Sequence, residues 1–385
     1  MDCSHVFVSK VNRLIVAFTL FLAFFCVVPA VNAQTDTVAV TAEQHAEAAV
    51  ESHAAGEGHE EEKFDPTKVI MEHVSDSHVF HIWGHLSMPL PVILYTPQGI
   101  EFFSSGHFHH GEEDYKGKYY TYRLVQPGMQ AFSQDFFNRK IKVVGADGKV
   151  DDALTAGVLD FSITKNVASL FLTVFLLIVI FTSVAAAYRT RVGKSPKGLQ
   201  SFLEPIIIFV RDDIARPNIG HDYAKFMPYL LTVFFFILIN NLLGLIPIFP
   251  GSSNVTGNIA VTFVLSLITM VIININGNKY YWKHIFAPDV PKWMYIIMIP
   301  VELIGIVSKP FALMIRLFAN ITAGHIIVLS LISLIFIFKS VSIAPVSVAF
   351  VIFMDVLELL VAFLQAFIFT LLSSLFIGMA IEEHH

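Results

Sequence analysis

The chain has 385 residues, of which 55% are hydrophobic and 15% charged, and its mean hydropathy is +0.65. Soluble domains carry roughly 25% charged residues, so this composition excludes a soluble globular protein and indicates a multi-span membrane protein. The formal charge of -6 excludes little, because acids crowd "EGHEEEKFD" (57 to 65) while bases gather in later loops; charge has to be read loop by loop.

The first 33 residues carry Lys10 and Arg13, then an apolar stretch from Leu14 to Val28, then small residues at Val31 and Ala33. This pattern predicts a cleavable secretory signal over 1–33, with an uncleaved first membrane helix as the alternative. Both cysteines, Cys3 and Cys26, lie in this segment. Cleavage would leave no thiol, and so no disulfide, thiolate metal site or cysteine catalysis.

Residues 34–165 are polar and hold 10 of the 16 histidines. Strand-like patches, "MPLPVILYTPQGIEFF" and "KIKVVGADGKV" with an Asp147-Gly148 turn, predict a small exported extension behind a flexible acidic leader. His107, His109 and His110 in "HFHH" have imidazoles suited to a divalent metal, but their spacing demands no defined site, and the reading favours solvated histidines with no metal.

"NVASLFLTVFLLIVIFTSVAAAY" (166 to 188) is uncharged and long enough to cross about 30 Å of hydrocarbon. The loop after it carries seven Lys/Arg up to Lys225, which places it on the cytoplasmic side. Within that loop, "LQSFLEPIIIFVRDDIA" sets apolar residues on one side and Arg211, Asp212 and Asp213 on another, predicting a helix along the membrane surface. Phe226 to Asn278 has no charged residue and is punctuated by "PIFPGSSNVTGN", giving two spans with an external turn. "KYYWKHIFAPDVPKW" then reads as a basic, aromatic interfacial loop. Met294 to Phe338 and Ser342 to Ile381 are too long for upright spans, roughly 60 Å each as helices, and predict a hairpin of two long tilted or bent helices. The predicted fold is therefore an all-α polytopic membrane protein with about five embedded helices, a surface amphipathic helix and a small mixed exported region.

That hairpin holds nearly all the ionisable groups at membrane depth: Glu302, Lys309, Arg316 and His325 on its first helix, Asp355 and Glu358 on its second. A charge at mid-bilayer costs on the order of 3 kcal/mol, so six in one hairpin argue for a polar pathway. Snorkelling competes with a pathway role for Glu302 and Lys309, nearest the cytoplasmic end. Arg316 and Asn320, four apart, share a face with Ala319 and Ala323 beside them, leaving room for a partner helix. His325 lies about 13 Å further along and on roughly the opposite side. Asp355, Glu358 and Gln365 form one stripe on the second helix. Arginine keeps its proton at any accessible pH, whereas imidazole and carboxylate can exchange theirs. A fixed positive barrier beside two titratable groups describes ions arriving and leaving by separate routes. A secondary transporter with a midplane charged site is the rival reading, as is a scaffold working through its exported extension. No internal repeat of the transporter kind is evident, and no phosphate-binding glycine loop supports ATP chemistry in this chain.

"SKPFALMIRLFANITAGH" together with "LELLVAFLQAFIFTLLSSLFIGMAIEEH", supported by "NNLLGLIP" upstream (240 to 247), resemble the a-subunit family of F-type ATP synthases over about 166–385. The resemblance implies a non-catalytic proton-channel subunit of bacterial type, with no cofactor. Arg316 would be the essential stator arginine, Asn320 and Gln365 its flanking residues, and Asn241 part of a half-channel. Some bacterial members carry a glutamate where this chain has His325 and a histidine where it has Glu358; an exchangeable acid and imidazole are expected to face each other. Implied partners are a ring of c subunits with a membrane carboxylate, the b-subunit peripheral stalk, the F1 sector and the lipid bilayer, with no nucleic acid. The implied location is the bacterial inner membrane, with the N-terminal region exported and the C-terminus cytoplasmic.

Overall fold

A computed structural model describes residue 70 and residues 76–382 apart from 84–85, 112, 126–140, 146, 191–193, 247–252, 288–289 and 339–342. The predicted signal and nearly all of the acidic leader lie outside the described residues.

The region before the first span is built from short antiparallel strands. Strands β1 (Val79–Trp83) and β2 (Leu86–Pro89) pair with each other. Strands β3 (Pro91–Thr96) and β4 (Gly99–Ser104) form a hairpin around Pro97 and Gln98. Strands β5 (Tyr115–Lys116), β6 (Thr121–Leu124) and β7 (Ile141–Val144) make a third sheet. Strand alternation fixes the faces: Val92 and Leu94 point inward with Phe103, Phe108, Tyr122 and Val143, while Tyr95, Ile100 and Phe102 face out. The expected turn is present, with Gly148 at φ 75, where a side chain would be strained. Helix α1 (Asp152–Ala156) is capped by Asp151, whose carboxylate accepts from the Ala153 and Leu154 amides. Strand β8 (Leu159–Asp160) then joins β3 and leads into the membrane.

Among the described residues, five helical stretches are long and apolar enough to span a bilayer. Helix α2 (Lys165–Thr190) is the first. Helix α3 (Leu199–Phe209) runs through a π-helical turn (Val210–Ala215) into α4 (Arg216–Ile219), and Gly220 at φ 70 separates these from α5 (Tyr223–Leu245). The π-helical turn was not legible in the sequence. At its end the Ile214 carbonyl accepts from Asn218 Nδ2 (2.7 Å) and Ser374 Oγ (3.1 Å), so this backbone group is satisfied inside the protein. Helix α6 (Ile259–Asn276) starts at Asn258, which accepts from the Ala260 amide.

The segment expected as an interfacial loop is instead helix α7 (Lys279–Phe286). Aromatic residues four apart explain it, since Trp282 and Phe286 stack at 5.9 Å, and Lys283 and His284 complement the C-terminal dipole. The hairpin follows as α8 (Tyr295–Phe338) and α9 (Ala344–Ile381), both unbroken as anticipated, with Pro300 and Pro310 inside α8. A phenylalanine-rich core of α5, including Phe234, Phe235 and Phe236, packs with α2 and α9. The chain is thus a polytopic helical membrane protein with a β-rich extension.

Candidate functional site: an acid and imidazole pair inside the hairpin

Helices α8 and α9 cross so that His325 and Glu358 meet. Nδ1 of His325 lies 4.0 Å from Oε2 of Glu358, with the side chains 22% and 12% exposed. The second carboxylate oxygen, Oε1, is buried without a hydrogen-bond partner among the described residues. Gly324 makes this approach possible, and Gly244 borders it at ordinary contact distance. A Cβ on Gly324 would stand 2.5 Å from Oε1 of Glu358, and one on Gly244 of α5 would stand 3.7 Å from Nε2 of His325. The chemistry is that of two titratable groups able to share and pass a proton once they close to hydrogen-bond distance or bridge through a water.

Arg316 lies elsewhere. It is exposed on the lateral face of α8 together with Asn320, Ala319 and Ala323, and its guanidinium has no ion pair or hydrogen bond among the described residues. Gln365, 2% exposed on α9, reaches the backbone carbonyl of Arg316 with Nε2 at 3.3 Å. The separation of Arg316 from the acid and imidazole pair is therefore as the helical period required, while Gln365 flanks the arginine through its backbone.

Asn241 on α5 is buried, accepts from the Thr256 hydroxyl at 2.7 Å and donates to the Ala362 carbonyl at 3.3 Å. Ala362 is one turn beyond Glu358 on α9. Asp355 is exposed, so the stripe of Asp355, Glu358 and Gln365 grades from surface to interior. Glu302 lies 3.8 Å from Nδ1 of His284 on α7, and the Lys309 ammonium sits 5.4 Å from the Phe376 ring centroid, a cation-π contact between the hairpin helices. These two groups are anchored locally and do not join the pair.

Thr256, Ser253, Asn166 and the two glycines were missed by sequence reasoning. The polar run "SSNVTGN" was visible but read only as a turn, and nothing local announces that Ser253, Asn254 and Thr256 are buried. In the extension, Glu101 is likewise buried; it accepts from the Lys118 and Tyr119 amides and the Tyr122 hydroxyl, all near 3 Å. Burial and the Glu101 bond push the Tyr122 phenol well above its usual range. Asp160 sits 3.6 Å from the buried His78. Burial works to raise its carboxyl, but the His78 contact and Ser162 outweigh it and hold Asp160 below the usual carboxylate range. His107 contacts the Ser104 carbonyl and His109 pairs with Glu113.

These features define a class: a polytopic membrane protein with a titratable pair in its interior and a permanent cation on its lateral face. The family model for the ATP synthase A chain matches residues 167–378, and the chain belongs to that family. A domain family of unknown function matches residues 69–161. "ATP synthase subunit a" of Chloroherpeton thalassium is 48% identical over 239 residues, covering 60% of this chain and 71% of the relative. "ATP synthase subunit a 2" of Chlorobaculum tepidum is 51% identical over 229 residues (57% and 64%). "ATP synthase subunit a" of Myxococcus xanthus is 42% identical over 245 residues (62% and 79%).

Proposed function

We propose that the chain is the proton-translocating stator subunit of the membrane Fo sector of an F-type ATP synthase. One observation carries the reading: the hairpin sorts its charges, with His325 and Glu358 together inside and Arg316 alone on a lateral face lined by small residues. Protons enter from the exported side by an aqueous half-channel past Asn241, Glu358 and His325. They neutralise a carboxylate on a c-subunit helix, which then rotates into lipid. Carboxylates arriving on the other flank meet Arg316, whose fixed charge favours their ionised form and sends the proton to a second, cytoplasmic half-channel. Each charge crossing 100 mV supplies about 2.3 kcal/mol. Arg316 also bars direct leakage between the two half-channels.

On this reading the chain does no ATP chemistry itself and works beside the c ring, the b-subunit stalk and F1. It resides in a bacterial inner membrane with the extension (34–165) exported behind a cleaved signal (1–33), the membrane domain over 166–385 and a cytoplasmic C-terminus. The test is ATP-driven proton pumping in vesicles carrying Arg316→Ala or Arg316→Lys. Loss of pumping in assembled complexes supports the role. Parental pumping by Arg316→Ala would overturn it.

A further inference from the structure

Between α5 and α6 the chain does something unusual for a loop. Ser253, Asn254, Val255 and Thr256 are all buried, and Thr256 is 1% exposed. A buried loop must satisfy its polar groups internally, and this one does so largely through its side chains, with Asn254 Nδ2 left without a partner among the described residues. Asn254 Oδ1 accepts from the Gly257 backbone amide at 2.8 Å, and a Cβ on Gly257 would collide with the Asn254 side-chain amide. Ser253 donates to Oδ1 of Asn166 at 2.8 Å, at the start of α2. Thr256 donates to Oδ1 of Asn241 at 2.7 Å. The Ser253 and Thr256 hydroxyls thus orient two buried amides on two different helices.

For Asn241 that orientation matters. Its amide oxygen and nitrogen have nearly the same shape, so hydrogen bonds alone decide which end points where. With Thr256 donating to Oδ1, the amide nitrogen is directed at the Ala362 carbonyl, one turn beyond Glu358. Three residues on, Gly244 lies on the same face of α5 against His325. A flipped Asn241 would set Oδ1 against the Ala362 carbonyl with no proton between them.

We propose that Thr256 is a positioning residue for proton uptake, acting through Asn241 to hold a fixed pattern of donor and acceptor beside the Glu358 and His325 pair. The proposal rests on the reading above that this pair lies on the inlet path. Thr256 itself moves no proton.

The test uses the intact complex reconstituted into vesicles, measuring ATP-driven pumping and passive proton conductance, with subunit recovery as the check on assembly. Thr256→Ser keeps the hydroxyl and should stay within about twofold of the parent, whereas the isosteric Thr256→Val should fall about three- to tenfold, the rate equivalent of one lost hydrogen bond. Because Thr256 acts through Asn241, adding Thr256→Val to Asn241→Ala should cost nothing beyond Asn241→Ala alone. Parental rates in Thr256→Val, equal losses in the Ser and Val variants, or multiplying losses in the double variant would each overturn the proposal. Should Thr256→Val fail to assemble, Thr256→Ala gives the same comparison without overpacking. Glu358→Gln separates the two levels: if it conducts normally, the inlet reading itself fails, and if it is inactive while Thr256→Val is parental, only the role of Thr256 fails.

Discussion

Gly324→Ala addresses the acid and imidazole pair without removing either member. The new Cβ would lie 2.5 Å from Oε1, 3.0 Å from Cδ and 3.2 Å from Cγ of Glu358. Ordinary van der Waals separation is about 3.5 Å, so the carboxylate has to retreat by on the order of 1 Å, and the crowding of Cγ means rotation of the end group alone is insufficient. The displaced side chain costs about 1–3 kcal/mol, while alanine gains up to about 1 kcal/mol over glycine in a helix interior. The net destabilisation is therefore between about 0 and 3 kcal/mol, and activity is compared per assembled complex. Function should not be spared. The pair starts at 4.0 Å, already beyond direct proton transfer, and a further retreat from α8 of on the order of 1 Å moves it away from the hydrogen-bond distance it must close to. A misplacement of this size lowers rates on the order of 10- to 100-fold. ATP-driven quenching of a pH dye in inverted vesicles, with complex recovery measured in parallel, is the assay. Adding Glu358→Asp, which shortens the acid, should restore part of the activity. Parental pumping by assembled Gly324→Ala complexes would refute the claim that Gly324 makes the space in which Glu358 works.

Two further outcomes follow from packing and charge. Gly378→Ala places a Cβ inside contact distance of the Asn218 backbone carbonyl, which cannot rotate away, so α4 and α9 must separate at a cost of about 1–3 kcal/mol or more; Gly305→Ala, where a Cβ meets nothing, should be silent in the same detergent-stability assay. In the extension, Asp160 has its folded pKa depressed, so its contribution is fully present above the unfolded carboxylate value of about 4 and is lost as pH falls through the lower folded value. Asp114, held down by the hydrogen bond and charge of Arg123, adds to the same window, so Asp160→Asn should flatten but not abolish the acid loss of protease resistance in the extension of the intact complex. An unchanged acid profile in Asp160→Asn would remove Asp160 from the account.

Legibility in the sequence divided along a physical line. Span lengths, the hairpin and the opposite placement of Arg316 and His325 depend on hydropathy and the 3.6-residue period, both local properties, and the helices are where those properties put them. The partnership of His325 with Glu358 came from resemblance to a family in which the two exchange, and the geometry is consistent with it. What local pattern could not supply were contacts made by groups far apart in sequence. Thr256 looks like a turn residue until α5 brings Asn241 against it, and Glu101 looks like a surface acid until the β5–β6 turn delivers two amides and the Tyr122 hydroxyl. Helix α7 was misread because its basic and aromatic composition is equally that of an interfacial loop, and only the stacking of Trp282 on Phe286 distinguishes them.

The lateral face of α8 also constrains what the chain can be by itself. Ser308, Phe311, Ala312, Ile315, Arg316, Ala319, Asn320, Ala323 and Ile327 are all exposed along it, while Leu313, Met314 and Leu317 are buried against the rest of the protein. Facing lipid, the guanidinium would cost on the order of 3 kcal/mol, and Gln365 cannot offset this because it reaches only the Arg316 backbone. Alanines on either side leave no bulk to shield the charge, but they do let another helix backbone come close. A surface that is apolar, small and cationic at one point suits a helix that is itself apolar, small and anionic at one point. It also suits a partner that moves on, because among the described residues Arg316 is the one charge fully exposed on this face, Lys309 being half-buried against Phe376. That is why the geometry of Arg316, and not only its charge, should matter: the planar fork can engage a carboxylate through two donors as it passes, and the ammonium of Arg316→Lys presents only a point charge.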